Sequence, residues 1–319
     1  MSKAFDLSQV GRGHGITADL GAYRNKIING DFEISQRGTT FSALGYTVDR
    51  WKFAIDGNGT GRAGTLNQYI DEDIAAEIGS NAPQHLNWTE TASGSGYSFK
   101  VIQQSIENVR TLAGRLVTVT FWAVMPVGGP HNLLLTLRQV FGVSGSPSNA
   151  VDASETIAIP GDNVWRKYSV TLQLPSVAGK ILTPGNHLAV LFHLPPNRPF
   201  TFGIKRVSLV EGDATAEEDP FSPRHIQQEL VLCQRYYQRV QANVRFIATA
   251  SGQFAHNSLN WPEMRATPSA LLVDAGNTVN VNNNVLDNPS SYGGRVTITS
   301  AASGDSFIIG RIYGLDAEL

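Results

Sequence analysis

The chain has little cysteine and little charge. Cys233 is the single cysteine among 319 residues, which excludes an intramolecular disulfide and a cysteine-based metal site. Charged residues make up 16% of the chain and the formal net charge is −2. Nucleic-acid binding requires a basic footprint, so we predict no nucleic-acid partner.

Long apolar runs are also missing. No segment of the sequence is long and apolar enough to cross a membrane, and we predict no membrane insertion. The N-terminal residues lack the apolar core of a secretion signal. The chain is therefore expected to be made in the cytoplasm and to leave, if it does, by a route other than secretion, such as lysis.

Motifs of common enzyme classes are absent. The sequence contains no G-x-S-x-G element, phosphate loop or dinucleotide fingerprint. Its acidic runs, 71–73 and 217–219, are typical of solvated loops. A glycosidase would need two carboxylates across a cleft, one of them in an apolar setting. The seven histidines show no metal spacing. We predict no metal, no cofactor and no catalysis, with a polysaccharide depolymerase kept as an alternative.

Short alternating segments separated by glycine-rich turns dominate the sequence, which has 31 glycines. About ten such segments before residue 212 predict an antiparallel two-sheet sandwich. The predicted strands of this region are 27–34, interrupted by an Asn-Gly turn signal, 46–55, 85–91, 97–106, 116–124, 133–141, 156–159, 165–174, 187–194 and 200–209, and a short helix is predicted at 71–78.

The main helix is predicted over Ser222–Val240, with Ser222 as its cap and Pro223 at its first position. An apolar stripe follows the spacing of a helix face; its residues are Ile226, Leu230, Cys233, Tyr237 and Val240. The stripe either packs on a sheet or forms a seam between identical subunits. Cys233 is expected to be a buried structural thiol.

These features divide the chain into four parts. Residues 1–25 form an N-terminal docking arm, 26–212 the sandwich domain, 213–240 a linker with the connecting helix, and 241–319 a small C-terminal β domain. The last region has five predicted strands and few large side chains. So thin a core favours stabilisation by oligomerisation.

Aromatic residues in polar surroundings are the candidates for a sugar site, because sugar rings stack on aromatic faces while amides and carboxylates bind hydroxyls. The candidate glycan-binding residues are Trp88, Glu90, Tyr97, Trp261 and Tyr292. By contrast, Trp51, Trp122 and Trp165 alternate with polar residues and are expected to lie in the core.

Five stretches, in order along 25–319, resemble a family of bacteriophage tail-fibre and related virion proteins. They are NKIINGDFEISQRGT with YTVDRW, QSIENVRTLAGRLVTVTFWA, WRKY with FGIKRVSL, ELVLCQRYY, and MRATP with the terminal DAEL. The resemblance implies a mainly β fold: a carbohydrate-binding-module-like jelly roll, a connecting α-helix and a second small C-terminal β domain.

The same resemblance implies a structural protein of the virion, as a tail fibre or other surface fibre or spike. It implies a homotrimer that binds other virion proteins through its N-terminal arm. We expect it to bind host-surface polysaccharide without catalysis. The alternatives are a purely structural capsid or tail decoration protein and, third, the depolymerase.

Overall fold

The computed structural model describes residues 24–57, 59–70, 84–218 and 220–319. The chain divides into two compact units, one ending at Ile226 and including Leu319, the other spanning Gln227–Glu318. The predicted arm lies outside the described residues except for Arg24 and Asn25, as does a short helix predicted at 71–78. The four-part division above stays a prediction.

The first unit is a jelly-roll sandwich of two antiparallel sheets, as predicted. Its strands are β1 Thr40–Phe41, β2 Gly45–Tyr46, β3 Lys52–Asp56, β4 Thr60–Ile70, β5 Gln84–Ser95, β6 Phe99–Glu107, β7 Leu116–Val127, β8 His131–Val140, β9 Val151–Ile159, β10 Arg166–Gln173, β11 His187–Leu194 and β12 Phe200–Glu211. Sheet 1 has the order β1-β4-β5-β12-β7-β10, and sheet 2 the order β2-β3-β6-β11-β8-β9.

The core of the sandwich is filled by one apolar cluster contributed by both sheets. Alternate residues of each strand point inward, so that Ile102 of β6, Phe192 of β11 and Phe121 of β7 are buried together. The prediction that Trp51 and Trp165 are buried is confirmed, whereas Trp122 is only half-buried.

Strand β4 was missed by the sequence pattern because it carries Gly61 and Gly64, which lower strand propensity. A long antiparallel ladder to β5 compensates. Its register shifts between Ala63 and Gly64, and a Cβ on Gly64 would lie 2.7 Å from the Thr89 carbonyl oxygen. Glycine therefore allows the two backbones to approach closely at this bulge.

The family-like stretch at 25–34 is a buried turn and not the strand that its sequence predicts. Asn29 adopts a left-handed φ of 55°. Its amide nitrogen donates to the carbonyls of Ile34 and Asp49 at 2.8 and 2.9 Å, and its amide oxygen accepts from the Ile34 N–H at 2.9 Å. These bonds satisfy backbone groups that the missing ladder leaves open. The residues at 25–34 that carry the resemblance therefore have a structural role in this turn.

The connecting helix, α1, spans only Ile226–Gln234, nine residues. Ser222 has a φ of 48° and does not cap it. The next residues alternate in a strand pattern, and β13 begins at Tyr237. Tyr237 and Val240 therefore lie on a strand, and the predicted five-residue helical stripe does not form. The prediction that Cys233 is a buried thiol is confirmed.

The second unit packs two small antiparallel sheets around its own core. Its strands are β13 Tyr237–Ala248, β14 Phe254–Asn260, β15 Ser269–Asp274, β16 Asn277–Val279, β17 Val281–Asp287, β18 Gly293–Ser300 and β19 Gly304–Asp316. Sheet 3 has the order β13-β19-β15 with β16 also paired to β19, and sheet 4 the order β14-β18-β17. The asparagine-rich stretch 277–288 forms β16 and β17.

Candidate functional site

Trp88 and Glu90 do not form the predicted exposed platform, because both point into the sandwich. Trp88 is 1% exposed and stacks with Phe200 at a centroid distance of 6.3 Å. Its polar neighbours Asn87 and Thr89 belong to the other side of the same strand. What resembled a polar turn is therefore the ordinary alternation of β5.

Glu90 instead belongs to a buried ion cluster that links the two sheets. Its carboxylate accepts a hydrogen bond from Nζ of Lys100 on β6, and both side chains are fully buried. Arg62 on β4 lies 3.8 Å from the second carboxylate oxygen. Tyr97 flanks the cluster, with its ring centroid 5.1 Å from Lys100 Nζ. Burial raises the pKa of Glu90, while Lys100 and Arg62 oppose that rise.

The remaining two candidates lie in the second unit and differ in burial. Trp261 is 6% exposed and belongs to the core of that unit. Tyr292 is 66% exposed in the turn between β17 and β18. Of the five predicted residues, Trp88 and Glu90 lie inside the sandwich, and the half-buried Tyr97 lies beside Lys100 in the turn between β5 and β6. Only Tyr292 keeps the exposed position that was expected, and its glycan role stays a prediction.

The outer face of sheet 2, turned away from the core, has the better chemistry for a ligand. Its floor consists of apolar side chains from two neighbouring strands, Val101 on β6 and Ala189 and Leu191 on β11, which are at most 3% exposed. Ala54 and Phe99 pack against this floor. The Phe99 ring lies edge-on to His193 at 6.1 Å. An apolar floor beside an aromatic edge suits the apolar face of a sugar ring.

Two side chains that can form hydrogen bonds, Gln103 and His193, lie beside the floor on neighbouring strands. Gln103 of β6 pairs with both Lys52 of β3 and Leu191 of β11. His193 pairs with Val101. Within the described part of the chain, Nε2 of His193 is buried and has no hydrogen-bond partner. An orphaned buried nitrogen is costly unless something binds it.

A preorganised polar rail borders the same face on β8 and β9. Arg138 donates two hydrogen bonds of 2.8 Å to the Asp152 carboxylate. The hydroxyls of Thr136 and Ser154 lie 3.0 Å apart in the next row. The Arg138 guanidinium lowers the pKa of Asp152, so this carboxylate is ionised at neutral pH. Paired planar groups can bind vicinal hydroxyls with little loss of side-chain entropy.

A cleft of about 420 Å³ continues the face at the far end of β8 and β9. Its lining residues are Pro130, His131, Asn132, Ala158, Ile159 and Pro160. Leu134 pairs with His193 on one side and with Thr156 on the other. The pair of Asn132 and Ala158 follows in the next row of the same face. The face and the cleft together offer an extended track along the sheet.

Two histidines of this region are held neutral. Burial lowers the pKa of His193, and the nearby Arg138 lowers it further, against a smaller opposing effect of Asp152. Burial also lowers the pKa of His131, whose Nε2 lies 3.4 Å from the His193 carbonyl oxygen. At neutral pH the His193 ring is thus an uncharged donor or acceptor.

We expect the free energy of unfolding to fall when the pH is lowered from 7.5 to 5.5. Because the folded pKa of His193 is below the ordinary value of 6.5, the unfolded chain binds the proton more readily. The contribution is complete above that value and is lost as pH falls towards the folded pKa. Urea unfolding at pH 7.5 and 5.5 measures it. His193→Gln should decrease the difference in the free energy of unfolding between the two pH values. The exposed control Asn132→Ala should leave that difference unchanged. An equal difference in all three proteins would contradict the attribution of the effect to His193.

No group of three or more histidine, cysteine, aspartate or glutamate side chains is clustered to hold a metal ion in this part of the chain. Nor does any described helix have the length and apolarity needed to cross a membrane.

No protein-family model and no curated protein matches the chain. Among solved structures, it is similar to the enzymatically active domain of tailspike protein 4 of bacteriophage CBA120. The identity is 18% and the TM-score 0.37, over 62% of this chain and 24% of the tailspike chain, so the match spans about a quarter of that protein.

Two carbohydrate-binding modules are also similar in structure. The family 11 module of Clostridium thermocellum has 10% identity and a TM-score of 0.33, over 54% of this chain and 94% of the module. The CBM22-2 xylan-binding domain of Paenibacillus barcinonensis Xyn10C has 16% identity and a TM-score of 0.33, over 54% and 98%. At these values the similarities carry no statement about the ligand of this chain.

The outer face of sheet 2 was missed because its residues are unremarkable one at a time. Gln103, His193 and Lys52 are far apart in sequence and meet only through the β3-β6-β11 register. The sequence signal that was available is strand alternation: in 99–105, the residues between the core positions are Phe, Val, Gln and Ser. Aromatic residues next to polar ones attracted the prediction to Trp88 instead.

Proposed function

We propose that the chain is a non-catalytic structural protein of a bacteriophage virion that binds host-surface glycan through the outer face of sheet 2. The virion role rests on the sequence resemblance over 25–319. The glycan role rests on one observation above others: the buried, unpartnered Nε2 of His193 beside an apolar floor and the Phe99 ring. A glycan hydroxyl would satisfy this nitrogen.

The way a sugar binds follows from the arrangement of the face. The apolar side of a pyranose ring lies against the half-buried Ala54 and the edge of Phe99, which cover the buried cluster of Val101, Ala189 and Leu191. Hydroxyls at its rim bind the Gln103 amide and His193 Nε2. The next sugar unit lies along the rail of Arg138 and Asp152 or towards the cleft at Asn132. A single site of this kind is weak, and several copies on one appendage supply avidity.

Assembly is part of the proposal. A homotrimer, with residues 1–25 docked on other virion proteins, places several such faces on one appendage. No step of bond cleavage is assigned, because Glu90, the described carboxylate whose pKa burial raises, lies inside the sandwich in an ion cluster.

Binding should depend on the outer face of sheet 2 and not on sheet 1. We expect Gln103→Ala and His193→Ala each to weaken binding of an oligosaccharide, found first on a glycan array, by about fivefold, since each removes a hydrogen bond worth about 1 kcal/mol. The matched control is Asn87→Ala, an amide on the outer face of sheet 1. Isothermal titration calorimetry gives the affinities, and the chain length of the polysaccharide should not change on incubation.

Two results would overturn the proposal. If no glycan on a broad array binds, the second candidate, a purely structural decoration protein, is preferred; it is favoured already by the amount of exposed apolar surface in the second unit. If the polysaccharide shortens, the protein is a depolymerase.

A further inference from the structure

The outer face of sheet 3, in the second unit, is apolar although it is turned away from that unit's core. On the central strand β19, Ile308, Tyr313 and Leu315 belong to the core. Ile309, by contrast, points outward and is 45% exposed. The outer face of a sheet that meets water is normally polar. This one therefore differs from the expected pattern at its centre.

The neighbouring strands extend the apolar surface. Leu271 of β15 pairs with Gly314 and is 71% exposed. Val279 of β16 pairs with Phe307 and is 41% exposed. Ile247 of β13 pairs with Asp305 and is 79% exposed. These outward residues, with Ile309, are called the apolar face of sheet 3.

The strand β15 adds an open edge beside the apolar face. All six of its residues are exposed, including Leu272 and Val273, at 46% and 42%. It pairs only with β19 among the described strands. Its interior carries no charge or proline of the kind that protects exposed edges; Pro268 and Asp274 only flank it. An edge of this composition is stable when another chain covers it.

The charge of the second unit is compatible with a second copy as the partner of the apolar face of sheet 3. Residues 227–318 contain seven acidic side chains, six arginines and no lysine, a net charge of −1. On the face itself, Arg245 is already neutralised by Asp305 through two hydrogen bonds of 3.0 and 2.6 Å. Two copies of this unit therefore do not repel each other, and no excess charge calls for a basic or acidic partner.

The size of the face is suited to a contact between subunits. At ordinary side-chain areas, the exposed fractions of Ile247, Leu271, Val279 and Ile309 leave roughly 450 Å² open, within the range of the largest patches on monomers. Polar residues of β13, namely Arg239, Gln241 and Asn243, are exposed along one border. An apolar centre with a polar rim, extended by the β15 edge, approaches the roughly 800 Å² per partner of stable interfaces.

We propose that the apolar face of sheet 3 and the edge of β15 form the contact between copies of this chain. The occupant is the next copy of this chain in a closed ring, which presents the adjoining part of this surface. The proposal deepens the assembly part of the proposed function and rests on it, but it is independent of glycan binding. It also replaces the helix seam, whose Cys233 and Tyr237 are 1% and 7% exposed.

Light scattering on the full chain tests the contact. We expect a mass that is a multiple of 34.5 kDa, three being the multiple that the sequence resemblance implies. Ile309→Glu and Leu271→Glu should each raise the dissociation constant at least 100-fold and give the monomer mass at micromolar concentration, because each places a charge in the contact. The matched control is Val285→Glu, since Val285 is 44% exposed on the outer face of sheet 4 and should leave the mass unchanged.

Each outcome is decisive for the contact. Thermal unfolding confirms that the variants fold, and two independent positions guard against one that does not. A monomeric wild type, an unchanged mass in both variants, or a monomeric Val285→Glu overturns the proposal. Affinity for a monovalent oligosaccharide should be the same in wild type and Ile309→Glu, while binding to a dense glycan surface falls. If neither the wild type nor Ile309→Glu binds the monovalent oligosaccharide while the wild type still assembles, only the glycan role is overturned.

Discussion

Replacing Lys100 with methionine is expected to lower the free energy of unfolding by about 3–5 kcal/mol at pH 7, the cost of leaving a buried charge without its partner. Glu90 and Lys100 are both fully buried, one on each sheet. Methionine has a similar shape, so little packing is lost. Arg62, 3.8 Å from the carboxylate, compensates only in part. Chemical denaturation of the full chain measures the change.

The pH dependence of Lys100→Met separates a charge effect from a packing effect. Burial already raises the pKa of Glu90, and removal of the ammonium group raises it further. A carboxyl group with a raised folded pKa contributes stability when it is protonated, and that contribution is lost as pH rises through the folded pKa. The deficit of the variant should therefore shrink as the pH is lowered from 7 to 5.

Two further variants complete the experiment. The double variant Glu90→Gln with Lys100→Met removes both charges and should recover most of the loss. Arg138→Met breaks the more exposed Arg138–Asp152 pair and should cost less than about 1 kcal/mol, because solvent screens it. A loss of the same size at pH 5 and pH 7, or a double variant as unstable as Lys100→Met, would show that packing and not charge holds the two sheets here.

Strand alternation predicted much of the sandwich, because each half-buried strand must place apolar residues on one side. The predicted strand at His187–Leu194 agrees with β11 at both ends. The same rule failed at β4, where two glycines hide a strand that depends on its partner β5. It failed again after Gln234, where local helix spacing gives way to the ladder between β13 and β19.

The candidate site was less predictable than the fold, because a surface depends on which side of a strand faces outward. Trp88 and its neighbours Asn87 and Thr89 read as an exposed platform until β5 is placed in sheet 1. Register with β4 and β12 then sends the indole inward and the amide outward. His193 and Gln103, ninety residues apart, become neighbours only across the β6–β11 ladder. No pattern within one segment carries that information.

The Asn29→Ala variant should be about 4 kcal/mol less stable than the wild-type chain, because three short hydrogen bonds are lost in a buried turn and partners are left unsatisfied. The side chain is 1% exposed, so water cannot replace those bonds. The backbone adds to the cost: at a φ of 55°, alanine is less favourable than asparagine. Chemical denaturation again measures the loss.

An exposed asparagine in the same backbone conformation provides the control. Asn163 has a φ of 60° in a surface turn of the same unit, and its side chain makes no hydrogen bond to the described residues. Asn163→Ala should therefore cost only the backbone part, about 1 kcal/mol. If the two variants lose equal stability, the backbone conformation alone explains Asn29. If Asn29→Ala loses several times more, as we expect, the side-chain hydrogen bonds of Asn29 stabilise the turn at 25–34 beyond the contribution of its backbone conformation.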